Sequence, residues 1–178
     1  MSGRIARRMA DKNSTHSTLR ERIVEHVFVG EALKALWRAD GTNVEVLRSD
    51  FDAQGYDLVM ARGSTVRHIQ LKTGKAGGPG KVSVATALAD RPSGCVIWIH
   101  ITPELDLGPF WWFGGKPGKP LPRIDEYPNA LRATRNKQGE RPVRVNHRLV
   151  PAKQFRRLDT LEDVLNCMFA DLSLSESS

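Results

Sequence analysis

Asp57, Gln70 and Lys72 are the side chains whose types and spacing can do chemistry together. Asp57 sits near the start of one β-rich run, 56–61, and Gln70 and Lys72 close the next, 66–72. Side chains alternate along a strand, so Gln70 and Lys72 share one face while Ile69 and Leu71 share the other. The intervening Arg62-Gly63-Ser64-Thr65 suits a hairpin, which brings Asp57 back beside Gln70 and Lys72. A carboxylate, an amide oxygen and an ammonium then meet in one small volume. Mg²⁺ takes hard oxygen ligands in octahedral geometry and usually keeps several waters. Asp57 offers a charged oxygen, Gln70 a neutral one, and a backbone carbonyl such as that of Leu71 a third. An ion held there lowers the pKa of a bound water, and Lys72 can orient that water or steady the developing oxyanion. Each residue also has a plainer reading: Asp57 as a turn residue bonding its own backbone, Lys72 as a snorkelling strand-end cation, Gln70 as an ordinary sheet residue.

The elements that must position these groups are legible on either side. Residues 18–38 read as a helix, with Thr18 and Glu21 at capping-box spacing and no proline within. Phe28, Val29, Ala32, Leu33 and Leu36 form its apolar face, and Arg20, Glu31, Lys34 and Arg38 the opposite one. Glu25 falls in the middle of the apolar face, where a carboxylate is unexpected. Val44, Val46 and Leu47 suggest a strand before the hairpin. After Lys72, residues 73–81 form a Gly-rich basic loop in which Lys75 and Lys81 can grip a phosphate backbone. Gly74-Lys75-Ala76 does not have the Gly-Lys-Ser/Thr pattern of a P-loop. Val82 to Val84 read as a short strand, 85–90 as a short helix, 95–101 as a buried central strand, and 110–113 as a further strand. Residues 114–148 are polar and irregular and read as long loops. Thr160 and Asp163 cap a last helix, with Leu161, Val164, Leu165, Met168, Phe169 and Leu172 as its stripe.

This order predicts an α/β fold around a mixed central sheet. A basic arm, 1–16, precedes one domain, 17–172, with a core over 18–113, a loop-rich basic extension over 114–158 and a helix over 160–172. Residues 173–178 read as a frayed tail. The chain has 178 residues and a net charge of +7, which favours a polyanionic partner through counterion release. Arg132, Arg135, Lys137, Arg141, Arg144, Arg148, Lys153, Arg156 and Arg157 form a dispersed basic stretch that suits such a partner. No apolar run approaches a membrane span, and the start lacks the apolar stretch of a signal peptide, so a cytoplasmic location is expected. Cys95 and Cys167 sit in apolar runs and read as core thiols, without zinc-site spacing. Trp98, Trp111 and Trp112 read as core aromatics before base-stacking ones. His26 and His68 read as packing or surface residues.

The ordered set of helix, strand-opening Asp, hairpin and Gln-x-Lys resembles the PD-(D/E)XK nuclease superfamily, which includes restriction enzymes and Holliday-junction resolvases. The resemblance spans about residues 19–101 and implies a restriction endonuclease-like three-layer α/β/α core. It implies hydrolysis of phosphodiester bonds with Mg²⁺ or Mn²⁺, and DNA in preference to RNA as substrate. Asp57 matches the strand-start Asp, Lys72 the Lys, and Gln70 takes the acid position. Glu25 is the best match for the helix carboxylate and joins Asp57 and Gln70 as a metal ligand. It is preferred to Glu31, whose basic neighbours suit an exposed salt-bridged face. The amide at position 70 removes one negative charge and predicts weaker metal binding. A catalytically silent nucleic-acid-binding or assembly subunit is the competing expectation, and a purely structural α/β protein the third. A homodimer or a partner subunit is compatible with any of them.

Overall fold

The computed structural model describes residues 17–41, 43–49, 55–74 and 80–170, with residues 17 and 18 described by their backbone alone. The expected basic arm, the tail and Lys75 lie outside these residues.

The first helix, α1, runs Ser17–Asp40. It already includes Ser17, so Thr18 lies within the helix and does not open it. Val24, Phe28, Ala32 and Leu36 recur every fourth residue and are buried, which makes one continuous stripe along the helix. Each large apolar side chain so removed from water contributes about 1.5–3 kcal/mol. Glu31 is exposed and paired with Lys34 at 3.1 Å on the outward face.

The stripe packs on a six-stranded sheet. Its strands are β1 (Val44–Arg48), β2 (Leu58–Arg62), β3 (Thr65–Gly74), β5 (Gly94–Ile101), β6 (Leu107–Gly114) and β9 (Arg156–Leu158), paired in that order. The strands β1, β2 and β3 form an antiparallel meander. A two-residue turn, Gly63 and Ser64, joins β2 to β3, with Arg62 opposite Thr65. The next strand, β5, runs parallel to β3, while β6 and β9 are antiparallel additions. All eight residues of β5 are buried, which explains why its sequence is apolar apart from His100.

A second sheet is built from β4 (Lys81–Ala85), β8 (Val143–Pro151) and β7 (Asn129–Leu131), in that order. The expected loops over 114–148 are therefore corrected in part: β7 and the start of β8 lie within them. In β8, Val143 and Val145 alternate with Arg144 and Asn146, but both valines are exposed, so the alternation marks no core face. The short helix expected at 85–90 reduces to a single 3₁₀ turn, Thr86–Leu88.

The last helix, α2 (Leu161–Phe169), has the capping box foreseen for it: Thr160 accepts from the Asp163 amide, and Asp163 accepts from the Thr160 amide. Val164, Leu165, Met168 and Phe169 join the α1 stripe over one face of the large sheet. On the other face Val96, Trp98 and Phe113 pack against Val82, Val84 and Val150 of the second sheet. Among the described residues both helices thus cover one face and a sheet covers the other, where an α/β/α layering predicts helices. The crossover from β3 to β5 carries a strand and a 3₁₀ turn, which is why that face is β-rich. No described helix is long and apolar enough to cross a membrane.

One cation stitches the layers. Arg67, on β3, is completely buried. It donates to the carbonyls of Met168 at 2.6 Å, Cys167 at 2.8 Å and Gly115 at 3.1 Å. Two of these are unsatisfied carbonyls at the negative end of the α2 dipole, where a cation is favoured. Burial draws the Arg67 pKa below the usual arginine value.

Candidate active site

Asp57 lies one residue before β2, and its backbone extends the sheet on both sides. Its N–H donates to the Ile69 carbonyl at 2.8 Å, and its carbonyl accepts from Ser49 at 3.0 Å. Its Oδ2 accepts from the Leu71 amide at 2.7 Å. Two of these bonds tie Asp57 to β3, and the one that reaches its carboxylate comes from Leu71, next to Lys72 in the chain. The loop before it turns at Gly55, whose φ of +76° favours glycine; a Cβ there would lie 2.9 Å from the Leu88 amide nitrogen.

Asp57, Lys72 and Glu25 line one cleft of about 440 Å³. Glu25 reaches it from α1 and is half-buried, with a side-chain exposure of 24%. Its Oε1 meets Arg48 Nε, at the end of β1, at 2.8 Å, which offsets the cost of withdrawing a carboxylate from water. Glu31 lines a different cavity beside α2. Arg22 and Glu21 complete the α1 wall, and Arg144 and His147 enter from β8.

Gln70 behaves differently. It is buried, and its Oε1 accepts from the Ala85 amide at 3.2 Å, across the interface with the second sheet. It is not among the residues lining the cleft. Lys81 is exposed at the start of β4 and is likewise outside the cleft. His26 Nδ1 bonds the Arg22 carbonyl of its own helix. His68 Nδ1 bonds the Pro92 carbonyl and meets Tyr56 edge-on at 5.0 Å. Both histidines are therefore engaged in local packing. Trp98 and Trp112 are buried, as core aromatics are expected to be.

Beside Lys72 the sheet carries an aromatic group. Lys72 pairs with Trp98 across β3 and β5, and Gly74 pairs with His100. A Cβ at Gly74 would lie 2.6 Å from Trp98 Nε1, so only glycine admits the indole there. His100 stacks on Trp111 at 3.9 Å, and burial lowers its pKa.

The donors that fit a hard divalent cation here are the carboxylates of Asp57 and Glu25. The Gln70 amide oxygen is turned toward Ala85, so its fit as a ligand would require that hydrogen bond to open or be shared. Among the described residues no group of three or more His, Cys, Asp and Glu side chains is arranged to hold a metal. Sequence reasoning missed Arg22, Arg48 and His147, and it placed Arg144 only within a dispersed basic stretch. No periodic signal marks Arg144 and His147: they stand three apart in β8, an odd spacing that regular alternation puts on opposite faces, and the pairing with β7 shifts register there.

The chain matches no protein-family model, and no curated protein shows similarity to it.

Proposed function

We propose that this chain is a metal-dependent phosphodiester hydrolase acting on nucleic acid. More particularly, we read it as a PD-(D/E)XK-type endonuclease with DNA as its preferred substrate. Its restriction endonuclease-like core would have one outer layer rebuilt as a sheet. The observation that carries the reading is the single cleft that gathers Asp57, Glu25 and Lys72 from a strand start, a helix and the neighbouring strand. The resemblance asks for these three residue types in one site, with Gln70, which lies outside this cleft, in its acid position.

In this reading Asp57 and Glu25 would hold Mg²⁺ or Mn²⁺. Bound there, the ion acidifies water and offsets charge on the phosphate. The Leu71 amide keeps the Asp57 carboxylate oriented, so no reorganisation is needed when the substrate arrives. Lys72 orients the attacking water and steadies the oxyanion. Glu25 would have to share its carboxylate between Arg48 and the ion. The net charge of +7 draws the polyanion in.

A second reading, a nucleic-acid-binding or assembly subunit without catalysis, draws on two contacts: Gln70 Oε1 bonded to Ala85, and Glu25 paired with Arg48. The test incubates purified protein with single-stranded, duplex and branched DNA and with RNA, in Mg²⁺, Mn²⁺ or EDTA. Asp57→Ala and Lys72→Ala proteins of unchanged melting temperature run alongside. Metal-dependent cleavage that falls by at least about a hundredfold in both variants is expected. Salt-sensitive binding without cleavage supports the subunit reading, and neither binding nor cleavage removes both.

A further inference from the structure

We propose that β8 makes the second sheet part of this site, with Arg144 binding a nucleic-acid phosphate beside the cleaved bond and His147 positioning it. The inference rests on the nucleic-acid reading above and names the group that recognises the backbone.

Arg144 and His147 line the same cleft as Asp57, Glu25 and Lys72, yet they come from a strand of the other sheet. A short chain of contacts sets that strand in place. Gln70 Oε1, on β3, holds the Ala85 amide of β4. Ala85 is the register partner of His147, and Thr86 Oγ1 donates to the Asn146 carbonyl at 3.2 Å. The amide at position 70 thus acts as a strut between the layers, and the residues it steadies face the site from above.

Arg144 Nη2 lies 2.9 Å from His147 Nε2. A guanidinium only donates, so Nε2 is the acceptor, and an imidazole that accepts there is neutral in this contact. The contact restrains one prong of the arginine fork while leaving its other N–H groups for a ligand. No ion pair among the described residues engages Arg144. A half-buried guanidinium with one prong restrained and no carboxylate partner suits the two-pronged geometry of a phosphodiester. The cation faces a cleft whose other wall holds the candidate catalytic carboxylates, so the phosphate it binds lies next to the one attacked.

Equilibrium binding of a fluorescent DNA duplex in EDTA, where no cleavage occurs, tests this apart from catalysis. The proteins are wild type, Arg144→Ala, Arg144→Lys, His147→Ala, the Arg144→Ala/His147→Ala double variant, and Arg123→Ala as an exposed control. All are first matched by thermal melting. At about 100 mM salt, Arg144→Ala is expected to bind about tenfold more weakly, and its plot of log K against log salt to be shallower by about 1. Arg144→Lys recovers the slope but not the full affinity, because it keeps the charge and loses the fork. His147→Ala weakens binding in the wild-type background and has no further effect once Arg144 is gone, a coupling that a merely structural histidine would not produce. Arg123→Ala binds as wild type. Wild-type affinity and slope in Arg144→Ala would overturn the proposal while leaving the nuclease reading intact. A wild-type protein that neither binds nor cuts nucleic acid overturns that reading, and this inference with it.

Discussion

Gln70 stands where the resemblance expects a carboxylate, and its surroundings give an amide a physical advantage there. The side chain is buried and its Oε1 accepts from Ala85 across the sheet interface. A carboxylate in the same place would be an anion removed from water, tolerable only with a cation close by. Gln70→Glu is therefore expected to lower stability at neutral pH by about 1–3 kcal/mol in EDTA, and to recover part of it with Mg²⁺ or on acidification. Urea unfolding with and without metal reads this directly. Equal stability in every condition would show that position 70 is not in a buried, charge-sensitive environment. His100 makes a second prediction at the same scale. Burial holds its pKa below the ordinary 6.5, and its Nε2 has no hydrogen-bond partner. Between the lowered folded value and the unfolded value, the unfolded chain carries the extra proton. Stability is accordingly present above that window and lost as pH falls through it. Unfolding free energy should decline as pH falls below about 6.5, and less so in His100→Phe; parallel curves would acquit the histidine.

At the scale of elements, the tie between β3 and α2 is Arg67. Its donors hold three carbonyls, two of them at the C-terminal end of α2, and its guanidinium lies 5.3 Å from the Trp112 ring. Removing it leaves those carbonyls without their donor and opens a void beneath the helix. Arg67→Ala is expected to cost about 3–5 kcal/mol in denaturant unfolding. Hydrogen exchange in α2 should rise more than in β5, because the helix loses its anchor while the central strand keeps its ladder. A loss below about 1 kcal/mol would mean that apolar packing alone seats α2. The meander β1–β3 illustrates the same logic with weaker parts: the two-residue turn fixes the register, and the register brings the Asp57 carboxylate within reach of the Leu71 amide.

At the scale of the molecule, the candidate site lies where three layers meet. The helix α1 supplies Glu25, the central sheet supplies Asp57 and Lys72, and the second sheet supplies Arg144 and His147. No layer holds enough of the chemistry by itself. Carboxylates and cations face one another across the cleft, an arrangement suited to gripping a phosphate chain while keeping oxygen donors for a metal. The overall positive charge acts at longer range and is sensitive to salt, whereas the contacts inside the cleft are shorter and less screened.

Local pattern was enough for much of this. The apolar face of Phe28, Val29, Ala32, Leu33 and Leu36, the hairpin connection around Gly63 and Ser64, the apolar run of β5 and the Thr160–Asp163 cap each write an element into a few neighbouring residues. The hairpin alternation likewise put Gln70 and Lys72 on one face, and Glu25 was conspicuous because a carboxylate interrupts an apolar stripe. Tertiary structure decided what local pattern does not encode. Whether Gln70 turns its oxygen to the cleft or to Ala85 depends on a strand that pairs with β8, more than sixty residues further along. Whether Arg144 is a solvated loop residue or a wall of the site depends on that same long-range pairing. Nothing in the sequence around Arg67 singles it out, and the docking of α2 is what gives its guanidinium partners. Hydrophobic periodicity specifies elements because it is a property of neighbours in the chain. A polar site is assembled from residues distant in sequence, and its geometry exists only once the layers have packed.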